Sequence, residues 1–133
     1  DLNDCYYVEA LDLAICGSRG WPTPDTVSYT EHDEKMYLRE QGRLRNSLVE
    51  AKKKGASRII MAMHYPPAKV EETEFTRIMK EYGVTKCVYG HLHGMVAWTN
   101  GIKGEHGGID YKLVSLDYLG AKPKLIYDSE QEK

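Results

Sequence analysis

The chain has 133 residues, which bounds it to one domain or a portion of one and is far below the roughly 250 residues of a closed TIM barrel. Its composition is that of a globular protein, 41% hydrophobic and 29% charged, and no apolar run approaches the ~18 residues of a membrane helix. Eighteen Lys and Arg against 20 Asp and Glu give a net charge of −2, so neither nucleic acid nor a membrane is an expected partner.

Cys5-Tyr6-Tyr7-Val8 and Leu11 to Cys16 are short β-prone runs that predict a strand pair. Turn residues crowd the stretch from Gly17 to Thr30 (Gly17, Gly20, Pro22, Pro24), predicting one long ordered loop of the kind that usually carries function. Asp33 to Lys54 is the longest helix candidate. Tyr37, Leu38, Gln41, Leu44, Leu48 and Ala51 recur at helical spacing and make one core-facing stripe. Thr30 and Asp33 offer capping oxygens at its start. At its end, Lys52, Lys53 and Lys54 suit the negative pole of the helix dipole and Gly55 supplies a left-handed stop, so the lysine run reads as a solvated helix end.

Arg58 to Met63 is a continuous apolar run, as expected of a buried central strand, and Pro66 and Pro67 then force the chain out of the sheet. A second helix is predicted over Glu72 to Tyr82, with Phe75, Ile78, Met79 and Tyr82 on one face, Thr73 as cap and Gly83 as stop. Lys86 to Gly90 is another short buried strand. Glycines 101, 104, 107 and 108 then punctuate a hairpin, Ile109 to Asp117 alternates like a strand, and Leu125 to Tyr127 is a last strand candidate. The order β-β-loop-α-β-α-β-β-β predicts an α/β layered fold, in which ligand sites gather at the carboxyl ends of the strands.

Histidines fall at those ends. His64 follows the first buried strand, and His91 and His93 follow the second in the sequence Gly90-His91-Leu92-His93-Gly94. Two imidazoles two residues apart between unrestricted glycines are suited to converge on a metal ion held by rigid strand ends. Cys87 lies four residues before His91, but inside a buried strand it reads as a small core residue. After Gly94, Met95 stands where the HxHxDH pattern of the metallo-β-lactamase fold requires Asp and so excludes it, and the chain is too short for an amidohydrolase barrel. Among smaller candidates, Arg19 has the geometry to meet a phosphate, although an exposed loop arginine is the plainer reading. His32 reads as a surface or capping residue and His106 as solvent-facing, while Trp21 and Trp98 read as loop-packing side chains.

A strand ending in His64-Tyr65-Pro66-Pro67, a helix, and a strand ending in Gly-His-Leu-His-Gly resemble the C-terminal half of the calcineurin-like metallophosphoesterases. Gly17-Ser18-Arg19-Gly20-Trp21, His32-Asp33-Glu34-Lys35, Gly108-Ile109-Asp110-Tyr111 and 114–119 resemble a bacterial branch of that superfamily. The resemblance implies residues 1–133 as the C-terminal portion of a four-layer α/β/β/α sandwich, and hydrolysis of phosphate mono- or diesters by two divalent ions, Mn, Fe or Zn. It implies His64, His91 and His93 as metal ligands, the first two on one ion and the third on the other, with Leu92 turned into the core. It also implies Asp-x-His, Gly-Asp and Gly-Asn-His-Asp motifs toward the N-terminus. None of these occurs in the chain, which begins at Asp1 without a methionine, so the N-terminal half of the domain is the expected missing partner and the chain alone is expected to be inactive. A non-catalytic binding or regulatory module with a partial or structural metal site is the alternative. Three cysteines without a CxxC pair, and the absence of a secretory signal or its prior removal, fit a reducing cytoplasm.

Overall fold

The computed structural model describes residues 5–92, 101–119 and 122–128, with side chains for 5–90 and 101–114. Among the described residues, seven strands form a single mixed sheet: β1 (Cys5–Val8), β2 (Leu13–Ser18), β3 (Arg58–Met63), β4 (Val84–Leu92), β5 (Gly104–His106), β6 (Ile109–Leu119) and β7 (Lys122–Asp128). The order across the sheet is β1-β2-β3-β4-β6-β5, with β7 also paired to β6. β2, β3, β4 and β6 run parallel, whereas β1, β5 and β7 are antiparallel to their neighbours. Helix α1 (Glu31–Lys53) links β2 to β3 and α2 (Glu74–Glu81) links β3 to β4. Among the described residues, no helix is long and apolar enough to cross a membrane.

Local chemistry accounts for both helices. Thr30 accepts from the backbone N–H of Asp33 while the Asp33 carboxylate accepts from the backbone of Thr30, a reciprocal cap that starts α1 two residues before the expected Asp33. Thr73 and Thr76 do the same for α2. Lys52, Lys53 and Lys54 are exposed at the end of α1, and Gly55 takes φ +76° beyond them. The core-facing stripe of α1 differs from the expected one in Leu38, which is 57% exposed, and in Gln41, which is half-buried. The buried positions are Tyr37, Glu40, Leu44, Ser47, Leu48 and Ala51. Glu40 enters because Arg43, one turn on, reaches its carboxylate at 3.1 Å, and Ser47 because its hydroxyl donates to the Leu44 carbonyl.

The core forms in rows across the sheet under these helices. Cys16, Met61, Cys87 and Tyr111 are register partners in one row, and Ser18, Met63, Tyr89 and Leu113 in the next. All eight are buried. Phe75 of α2 closes the layer edge-on against Tyr37 of α1, with ring centroids 4.9 Å apart. Glycine is required at position 90, where a Cβ would lie 1.6 Å from the Val114 carbonyl oxygen of β6. Only a residue without a side chain lets the two strands approach so closely.

Strands 2, 3 and 4 stand side by side in chain order, so right-handed crossovers place both helices on the same face. The opposite face carries Tyr6, Ile15 and Ile60 in one register row and Ala62 and Val88 in the next. These residues are only partly covered: Tyr6 is 70% and Ile15 39% exposed, and Ile60, Ala62 and Val88 are half-buried.

Candidate metal centre

Because β2, β3, β4 and β6 are parallel, their carboxyl ends share one edge of the sheet. β2 runs through Ser18, two residues past the expected end at Cys16, and its pairing with β3 persists beyond both strands. The backbone N–H of His64 donates to the Ser18 carbonyl at 3.3 Å, and that of Tyr65 donates to the Arg19 carbonyl at 3.1 Å. These two bonds fix the His64-Tyr65 pair against the start of the 19–30 loop, before Pro66 and Pro67 end the ladder. The half-buried His64 ring meets Tyr65 edge-on, with centroids 5.0 Å apart.

His91 lies on the neighbouring strand. Met63 is the register partner of Tyr89, so His64 stands level with Gly90 and His91 one residue further along. With strands ~4.8 Å apart and ~3.3 Å of rise per residue, the two backbones are about 6 Å apart. β4 does not stop at Gly90 but continues through Leu92, and β6 holds it there by pairing Ser115 with His91. The backbone therefore brings the first and second expected ligands to one edge, but at successive register levels, so strand alternation assigns them to opposite faces unless the chain turns at His64, just past the end of β3. The side chains of His91 and Leu92, and His93 altogether, lie outside the described residues. Among the described residues, no three His, Cys, Asp or Glu side chains form a metal-holding group.

Cys87 is too distant to serve as a fourth ligand. It is fully buried inside β4, four residues and therefore ~13 Å of strand before His91, and burial pushes its thiol up. The backbone positions that meet at this edge, at the ends of β3 and β4, belong to histidines, whose donors are imidazoles. That set suits a borderline divalent ion and leaves the charge of a metal pair to carboxylates supplied by other residues.

The smaller candidates sort themselves around this edge. Arg19 is exposed, with its guanidinium over the Trp21 ring at 5.1 Å. Trp21 lies 6.0 Å from Tyr65 and 6.2 Å from His32, and its indole N–H donates to Asp33 at 3.0 Å. Trp21 thus packs the loop, as expected, but at the candidate site. His32 is exposed on the first turn of α1, and His106 is exposed with its Nε2 2.8 Å from the Lys103 carbonyl. Trp98 lies outside the described residues. Sequence reasoning missed the grouping of Arg19, Trp21 and Tyr65, which depends on the β2–β3 register. It also missed the buried carboxylate Glu40, whose one sequence signal was the i, i+3 spacing to Arg43.

Compared with protein-family models, curated proteins and solved structures, the chain has no significant match to any of them.

Proposed function

We propose that this chain supplies the histidine-bearing part of a dinuclear metal site in a calcineurin-like metallophosphoesterase that hydrolyses phosphate mono- or diesters. The observation that carries the reading is the register of β3 and β4, which brings the backbones of His64 and His91 to one carboxyl edge of a parallel sheet, one residue apart along the strands; a shared ion then requires His64, just past the end of β3, to turn its ring to the face of His91. His93 is the third ligand of this proposal. In such a site two divalent ions share a nucleophilic water and stabilise displacement at phosphorus. The chain contributes imidazoles, rigidity and the approach to the site, and the bridging carboxylate comes from a segment outside these residues. The partly bare apolar face of the sheet supports this arrangement, since a second sheet packed there would complete a four-layer sandwich and cover Tyr6, Ile15, Ile60 and Val88. The distance from Cys87 to the edge argues against a structural zinc site built on that thiol.

The test is an assay of the purified 133-residue chain with p-nitrophenyl phosphate and its bis-ester in excess Mn2+, alone and together with a segment carrying the Asp-x-His, Gly-Asp and Gly-Asn-His-Asp motifs. No turnover alone and turnover on combination, lost in His91→Ala, is the expected result. Robust turnover by the chain alone would contradict the need for outside carboxylates. No turnover in the combination would favour a binding or regulatory module.

A further inference from the structure

The sequence leaves Arg19 as an exposed loop arginine, but the fold gives it a fixed place. Its carbonyl is tied to the Tyr65 backbone, so its Cα sits beside the residue that follows His64. Gly20 then turns the chain at φ +71°, close enough to Met63 and Tyr65 that a Cβ there would lie 2.9 Å from the Met63 methyl. This turn brings Trp21 back beneath the arginine. The indole cannot swivel freely, because its N–H is held by the Asp33 carboxylate, itself locked into the cap of α1. A guanidinium stacked on an aromatic face keeps its in-plane N–H donors open. Among the described residues, Arg19 forms no ion pair, although seven ion pairs engage other lysines and arginines. An exposed planar cation is thus held by stacking, with its donors unspent, at the strand edge that carries His64.

We infer that Arg19, braced on Trp21, is a substrate-binding residue that grips the phosphoryl oxygens of a phosphoester beside the histidine edge. The assignment deepens the phosphoesterase reading and rests on it for the identity of the anion. The fork geometry of a guanidinium matches two oxygens of a tetrahedral phosphate, which a lysine ammonium does not reproduce. Stacking on the indole limits the rotamers Arg19 loses on binding, so the ordering cost is largely met before the anion arrives.

The probe is inorganic phosphate, read by Trp21 fluorescence in a Trp98→Phe chain at constant ionic strength, with and without Mn2+. Phosphate should perturb the emission saturably, Mn2+ should tighten the binding, Arg19→Met should weaken it by about tenfold or more, and Arg19→Lys should fall between. Because Arg19 is exposed, circular dichroism of the variants should match that of the parent. Unchanged phosphate affinity in Arg19→Met, with the Mn2+ effect intact, overturns the role of Arg19 and leaves the metal reading standing. A strong dependence on Arg19 with no effect of Mn2+ overturns the metal reading and leaves the anion site. Absence of phosphate binding under both conditions overturns the two together.

Discussion

Replacing Gly90 with alanine probes the contact that fixes β4, and with it His91, against β6. The new methyl carbon would lie 1.6 Å from the Val114 carbonyl oxygen, whereas ordinary contact begins at about 3.5 Å, so the backbones must separate by roughly 2 Å. A shift of that size breaks the local pairing of Gly90 with Val114 and of His91 with Ser115. Losing two ladder hydrogen bonds costs about 2 kcal/mol, and the steric displacement adds about 1–3 kcal/mol. The expected loss of about 3–5 kcal/mol is a large fraction of a typical domain's stability and corresponds to a melting temperature lower by about 10–20 °C. Urea denaturation followed by circular dichroism measures it. Gly42→Ala is the control: it lies on the exposed side of α1 with nothing within 4 Å of its would-be Cβ, and there alanine should stabilise by about 0.5–1 kcal/mol. A Gly90→Ala chain within about 1 kcal/mol of the parent would refute the close approach of β6, and with it the argument that β6 positions His91.

Three further outcomes are expected. Bound divalent metal should fall away below about pH 6, because a protonated imidazole cannot ligate, and equilibrium dialysis that finds occupancy unchanged at pH 5 would speak against histidine ligation. The backbone of Thr30, the indole of Trp21 and the hydroxyl of Thr30 hold the Asp33 carboxyl below its ordinary value of 3.8. A depressed carboxylate stabilises the fold above that value and loses its contribution as pH falls through its lower, folded value, so Trp21 emission should stay native from pH 7 to about 4 and shift only below. A transition centred well above pH 4 would contradict this assignment. Burial, with the neighbouring Cys5 thiol adding to it, pushes Cys16 up to about 12, and burial alone raises Cys87. Iodoacetamide at pH 8 should therefore label the folded chain at the half-buried Cys5 and reach the other two thiols only after unfolding, and mass spectrometry showing Cys87 labelled as fast as Cys5 would argue against the buried β4.

Much of the framework was legible because the signals are local. The bounds of β3 follow from an apolar run between Gly55 and the two prolines, and those of α1 from a cap and a stop that depend on neighbouring residues alone. Periodicity misplaced Leu38 because a helical template rewards any apolar residue near the stripe. The positions it could not foresee were Glu40, which Arg43 makes tolerable in the interior, and Ser47, whose hydroxyl donates to the Leu44 carbonyl. At the site, sequence reached the statement that His64 and His91 each follow a buried strand. That their backbones reach one edge a residue apart is a matter of strand register, and register is set by pairings between segments some 25 residues apart. The stack of Arg19 on Trp21 beside Tyr65 was out of reach for the same reason, since it exists only once β2 and β3 have paired.

The central claim, that His64 and His91 ligate one metal ion, is tested most directly by crystals of the chain grown with Zn2+ and measured at the zinc absorption edge. The account predicts an anomalous peak at the carboxyl edge of β3 and β4, with ring nitrogens of both histidines about 2.0–2.1 Å from it. A map with no peak at that edge, or with the His64 and His91 rings on opposite faces of the sheet, would contradict it.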